Sequence, residues 1–138
     1  MTHDEWRAFL AGDARTGKLA TTRKDGGPHV VPIWFVLDGD DVVFNTGAET
    51  VKGRSLRREG RAAICVDDER PPFAYVMVAG RVEISEDLDE MLRFATEIGG
   101  RYMGAERAGE FGRRNAVEGE LLIRLKPDNV VAKRGVAE

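Results

Sequence analysis

What most constrains this chain is its punctuation. Three clusters of turn-forming residues, Lys24-Asp-Gly-Gly27, Asp38-Gly-Asp-Asp41 and Glu69-Arg-Pro-Pro72, separate runs rich in β-branched and aromatic residues. Glycine supplies positive φ at such turns, aspartate bonds its own backbone, and proline fixes φ in advance. Short runs joined so tightly pair antiparallel through hairpins. Six strands are predicted, over residues 18–23, 29–37, 41–46, 61–67, 73–84 and 120–126. Pro32 demands an edge or bulged position, because it has no amide hydrogen for a central ladder. Gly80, inside the longest run, suggests a bulge or a close backbone approach.

Helical signals lie between these runs. Thr2 and Glu5 make a capping box, with Trp6, Phe9 and Leu10 on one face behind it, so a helix opens the chain and runs to about residue 13, with Gly17 marking its end. Residues 52–59 have helical spacing and stop at Gly60. Ser85 is read as the cap of a helix to about residue 98, with Asp87, Asp89 and Glu90 in the first turn, where the dipole favours acids. A shorter helix is predicted over 105–114. With 138 residues and no linker or repeat, the chain reads as one domain, 1–138. The expected class is mainly β: a small antiparallel barrel flanked by helices at the N-terminus, after the third strand and before the last.

Charge narrows the function classes. The net charge is −3, which gives the surface no general pull on nucleic acid. No apolar run reaches the roughly 20 residues of a membrane helix. The first residues, Met1-Thr2-His3-Asp4-Glu5-Trp6, lack a signal peptide's cationic and apolar regions, and the lone Cys65 suits a reducing cytoplasm. Against this acidic background Lys52, Arg54, Arg57, Arg58 and Arg61 crowd eleven positions. Lys52 and Arg54 fall in the first turn of a predicted helix, where cations oppose the dipole unless an anion is bound there. A phosphate held at that turn, with the Thr46 hydroxyl beside it, removes the conflict. The ordinary alternative is a solvated helical face, and it suits Arg57, Arg58 and Arg61 better. Of Trp34 and Phe35, adjacent in a strand, only one can face the core.

Other chemistry is missing. His29 and His3 have no second ligand at metal spacing, and His3 belongs to a frayed terminus, so no metal site is expected. Gly47-Ala-Glu-Thr-Val-Lys52-Gly is not a P-loop, and no dinucleotide fingerprint or hydrolase elbow occurs. No catalytic residue is assigned from the pattern.

Three stretches carry a resemblance. They are Leu19-Ala-Thr-Thr-x-x-x-Gly-Gly-Pro-His-Val-Val-Pro-Ile-Trp-Phe-Val36; Val43-Phe-Asn-Thr46 with Val51-Lys-Gly-Arg-Ser-Leu56 and Arg61-Ala-Ala-Ile64; and Val78-Ala-Gly-Arg-Val-Glu-Ile84. In this order the chain resembles the pyridoxamine 5'-phosphate oxidase-like split barrels that bind FMN, and most of all the actinobacterial branch using the deazaflavin coenzyme F420. The resemblance implies a six-stranded antiparallel split β-barrel and a homodimer with two equivalent sites at its interface. It implies phosphate contacts from Thr46, Lys52 and Arg54, with Ser55 as a weaker candidate, and places His29, Pro32 and Trp34 near the ring system. The C-terminal residues lack the arginine- and histidine-bearing segment of authentic pyridoxamine-phosphate oxidases, so pyridoxal phosphate synthesis is not expected. What is expected is an F420-dependent reductase passing a hydride to a small conjugated substrate such as a tetrapyrrole or quinone. The surplus cations suit that cofactor's anionic tail. The alternatives are an FMN-dependent oxidoreductase, or a non-enzymatic flavin- or haem-binding module on the same barrel.

Overall fold

In a computed structural model covering residues 1–138, the chain runs α1 (His3–Ala11), β1 (Gly17–Thr22), β2 (Pro28–Ile33), β3 (Val36–Asp38), β4 (Asp41–Gly47), α2 (Val51–Glu59), β5 (Arg61–Asp68) and β6 (Ala74–Ser85). It continues through α3 (Leu88–Met103), a 3₁₀ turn (Ala105–Arg107), α4 (Ala108–Asn115) and β7 (Glu120–Arg134). The strands form one antiparallel sheet in the order β2-β1-β5-β6-β7-β4-β3.

That order puts β2 and β3 at opposite edges, yet only Trp34 and Phe35 separate them in sequence. The steps from Ile33 to Val36 reach about 11 Å at most. The sheet is therefore rolled until its edges meet at this corner, with no ladder joining them: a split barrel of seven strands, not six. The run expected over 29–37 is cut at Trp34-Phe35. Its first part pairs with β1 (Thr21↔His29, Gly17↔Ile33) and its second with β4 (Val36↔Val43). Local propensity is similar on both sides of the cut. The change of partner, which is a tertiary event, makes two strands of it. Pro32 does lie on an edge strand, opposite Lys18, so its absent amide hydrogen is not missed.

The last strand is longer than expected and continues through Pro127 to Arg134. A register shift at Ala79/Gly80 makes this workable: Ala79 faces Asn129, Gly80 faces Pro127, and Asp128 is the extra residue. The Lys126 carbonyl approaches Gly80 so closely that a β-carbon would overlap it. The bulged Asp128 carboxylate turns back to take the Arg81 guanidinium at 3.0 Å and the Arg81 amide at 3.2 Å.

Caps explain the helix limits. Thr2 and Glu5 form the capping box of α1, which stops at Ala11 with Gly12 after it; Gly17 instead opens β1, against the Ile64 side chain. His3 is not frayed. Its ring accompanies Trp6 edge-on at 5.1 Å and meets the Asp40 carboxylate at 2.9 Å. Gly60, at φ 68°, ends α2. Asp87, not Ser85, caps α3, accepting the Asp89 and Glu90 amides, and the helix runs on to Met103.

Two cores result. Inside the rolled sheet, Leu19, Phe35, Val42, Phe44, Ile64, Val66, Val76, Val78, Leu121, Ile123 and Leu125 pack with Trp6 and Leu10 of α1 and Leu56 of α2. Outside it, Met91, Phe94 and Ile98 of α3 cover Val36, Val43 and Leu122. Hence Val42-Val43-Phe44 and Leu121-Leu122-Ile123 are unbroken apolar runs: those strands are covered on both faces.

Candidate functional site

The apolar cover of β4 and β7 ends where their side chains turn polar. Gly47 pairs with Glu120, and Asn45, two residues back, shares their face. Beyond this point α3 no longer covers the sheet, and a cavity of about 430 Å³ opens, within the usual range for small-molecule sites. Its lining is Pro32, Ile33 and Trp34 from the barrel corner, Thr16 before β1, Asn45, Thr46 and Gly47 of β4, Lys52 of α2, and Ile98, Asn115 and Glu120.

One wall is a turn. Thr50 caps α2: its hydroxyl accepts the Gly53 amide at 3.1 Å and donates to the Gly47 carbonyl at 2.8 Å. The buried Thr46 hydroxyl lies 3.2 Å from that of Thr50. The Val51 and Lys52 amides have no backbone acceptor and face outward from the start of a nine-residue helix with no acid in its first turn. Lys52 lines the cavity and joins none of the ion pairs in the protein. A helix start with free amides and an unpaired lysine suits an anion.

Another part of the lining is the Trp34 indole, backed by two further rings. Trp34 stacks on Tyr102 with centroids 5.2 Å apart and planes 3° from parallel, and meets Phe111 edge-on at 5.8 Å. The Tyr102 hydroxyl donates to the Arg15 carbonyl at 2.7 Å and accepts the Phe35 amide at 3.3 Å. Phe35 is the partner that turns into the core; Trp34 is left on the cavity.

Thr46, Lys52, Pro32 and Trp34 are thus brought to one cavity. Arg54, Ser55 and His29 are not. Arg54 is exposed and pairs with Glu49 at 3.0 Å. Ser55 is buried on the packed side of α2, its hydroxyl accepting from Arg58 at 3.3 Å. His29 sits at the far end of β2 opposite Thr21, with Nδ1 buried and without a partner. Arg57 is held by Glu86 at 2.8 Å and Arg58 by Glu59 at 3.0 Å. Arg61 rims a separate cavity with Arg81 and Asp128 at the other end of β1.

The site residue that sequence reading missed is Glu120. Asn45 Nδ2 donates to its Oε1 at 3.1 Å. Burial pushes the Glu120 carboxyl above its ordinary value of 4.5, against the opposing pull of the Asn45 hydrogen bond and the Lys52 charge. An acid whose pKa is raised on folding favours the folded state while protonated, and that advantage is lost as pH rises from 4.5 through the raised value. Glu120→Gln keeps the acceptor but carries no charge. Its melting temperature should exceed the wild type's at pH 7, with the gain vanishing below about pH 4. Thermal unfolding of both proteins from pH 3.5 to 8 measures this, and an equal gain at every pH would contradict it.

The family model described as pyridoxamine 5'-phosphate oxidase matches residues 2–133. A pyridoxine/pyridoxamine 5'-phosphate oxidase of Rhizobium etli is 32% identical over 102 residues, covering 73% of this chain and 49% of that protein. The chain therefore spans about half the length of that curated relative. Among solved structures, one named F420 reductase superposes with a TM-score of 0.71 at 27% identity, over 90% of this chain and 94% of its own. A conserved hypothetical protein of Mycobacterium tuberculosis, Rv2991, reaches a TM-score of 0.86 at 24% identity over 98% and 86% of the two chains, a likeness of fold. With the family model matched over residues 2–133 and the rolled sheet and its corner in place, the chain belongs to the pyridoxamine 5'-phosphate oxidase family of split barrels.

Proposed function

We propose that this protein is an oxidoreductase that binds a phosphate-bearing flavin-type cofactor, coenzyme F420 in first place and FMN as the alternative, and that it reduces a small conjugated substrate such as a tetrapyrrole or quinone. The observation that carries the proposal is the meeting, in one cavity, of an unpaired lysine at a free helix start and an aromatic wall held rigid from behind. In this reading Lys52 and the Val51 and Lys52 amides hold the phosphate, with Thr46 keeping the capping hydroxyl of Thr50 in place. Pro32 and Trp34 lie along the ring. Arg54 reaches the anion only by leaving Glu49; Ser55 and His29 lie outside the cavity.

The residues fit such a group. The lining offers one cation for a phosphate and a flat indole for a ring. The bound cofactor would supply the hydride chemistry. The protein's part is to orient the ring against Trp34, to exclude water with Ile33 and Ile98, and to leave one face open to the substrate. The 27% identity to the solved F420 reductase supports the choice of F420. A homodimer in the cytoplasm, with a partner closing each cavity, belongs to the same proposal.

Lys52→Ala is expected to weaken cofactor binding by about 1.5–3 kcal/mol, the scale of a hydrogen bond to a charged group. Titrating wild type and variant with F420 and with FMN, followed by fluorescence, measures both the loss and the preference. Equal affinity in the two proteins would refute the phosphate assignment.

A further inference from the structure

A second cavity, of about 450 Å³ and so also of small-molecule size, lies away from Lys52 at the far end of β1. Strand alternation puts it on the outside of the barrel. Leu19, Ile64 and Val78 point into the core, so their neighbours Ala20, Ala63 and Ala79 on β1, β5 and β6 point outward. Register sets these alanines side by side, Ala20 opposite Ala63 and Ala63 opposite Ala79. With strands about 4.8 Å apart, they make a flat apolar strip about 10 Å across. Thr22 and its partner Pro28 line the β2 side, and Asp128 the β7 side.

Two residues further along the strands, about 7 Å away, the same face carries a like-charged pair. Arg61 stands directly opposite Arg81, an arrangement that costs stability. Asp128 answers only half of it. Its carboxylate takes Arg81 at 3.0 Å, and Arg61 joins no ion pair. The cavity thus holds two guanidiniums against one carboxylate, a local excess of one positive charge on a chain of net charge −3. A guanidinium fork binds a carboxylate with two parallel hydrogen bonds. The methyl floor beside it accepts a flat apolar body and has nothing to offer a polar one.

We propose that this cavity is a separate binding site for a small aromatic carboxylate. The carboxylate lies on Arg61 with Arg81 in support, and the ring system lies on Ala20, Ala63 and Ala79. The single excess charge matches a monoanion, and two fused rings match the width of the floor.

Probes of known shape separate charge from ring. 2-Naphthoate and 2-naphthamide have nearly the same outline and differ in charge; acetate has the charge without the rings. In NMR titrations of the full-length protein, 2-naphthoate should bind about tenfold more tightly than either, the effect of one charge-assisted hydrogen bond. The shifted amides should centre on Arg61, Ala63 and Ala79. Arg61→Gln, a change on an exposed side chain, should lose that factor for naphthoate and leave naphthamide unchanged. Ala63→Leu raises the floor from outside the core and should weaken both aromatic probes. Asp128→Asn keeps an acceptor for the Arg81 amide, removes the competing charge and should tighten naphthoate binding. Lys52→Ala should alter none of these affinities.

Equal affinity for naphthoate and naphthamide would overturn the proposal. So would a preference that survives in Arg61→Gln, or shifts centred on the Lys52 cavity. The rival occupant is a second copy of the chain. In that case size-exclusion chromatography would show a dimer that Ala63→Leu splits, wild type would not bind naphthoate, and the small-molecule site would be wrong.

Discussion

Replacing Gly53 with alanine should destabilise the protein by about 1–3 kcal/mol, although the same exchange inside an isolated helix gains about 0.5–1 kcal/mol. The sign reverses because of what surrounds this residue. A β-carbon on Gly53 would run into the Gly47 carbonyl, with the Ala48 carbonyl at 3.1 Å and its carbon at 3.2 Å. All three are backbone atoms, and no rotamer change can move them aside. The start of α2 would have to lift from the end of β4, breaking the Thr50 bonds to Gly53 and Gly47 and carrying Lys52 with it. Cofactor affinity should therefore fall together with stability. Chemical denaturation of wild type and Gly53→Ala checks the first effect, and cofactor titration the second. A more stable variant with unchanged affinity would mean that helix propensity outweighs the close approach.

Phe35→Ala should cost more, about 3–5 kcal/mol, the range for deleting a buried aromatic ring. For 138 residues the whole stability is on the order of 7–20 kcal/mol, so this is a large share. Phe35 is fully buried, and the Arg101 guanidinium lies 4.7 Å from its ring centroid. Arg101 also donates to the carbonyls of Phe35 at 2.7 Å and Leu10 at 2.6 Å. The ring is thus a plug in the barrel core and a support for the arginine that ties α3 to the corner. Without it the seam between the sheet's two edges loosens, and Trp34, the next residue, loses its fixed place on the cavity wall. A loss below about 1 kcal/mol in urea unfolding would show that the corner is held by its hydrogen bonds alone.

The position of Lys52 on the cavity, at a helix start without first-turn acids, is the part of the candidate site that local chemistry singles out. Lys52 at the start of a helix without first-turn acids conflicts with the helix dipole, and such a conflict can be read from a dozen consecutive residues. Arg54 carries the same signal but turns to Glu49, and Ser55 faces the packed side of the helix. Helical spacing alone does not say which face of a short basic helix a wall will meet. Glu120 was not legible at all. It reaches the site because β7 returns beside β4 with Glu120 opposite Gly47, a pairing between residues 73 positions apart. The only local trace is a polar residue opening the apolar run Leu121-Leu122-Ile123.

By itself, then, the sequence determined what depends on neighbours along the chain: the hairpin turns, the capping box of α1, the glycine stop after α2 and the basic helix start. At Gly80 it left a bulge or a close approach open, and the pairing with β7 put the close approach there and the bulge at Asp128. Tertiary structure alone decided what depends on partners. One β-prone run became β2 and β3 because its halves pair with strands at opposite edges of the sheet. Rolling those edges together turned Phe35 inward and Trp34 toward the cavity, and it brought Glu120, Asn45 and Lys52 around the same space. Propensity and capping act over three or four residues, whereas strand order and register are fixed by burying the whole sheet, and the cavity is built from that register.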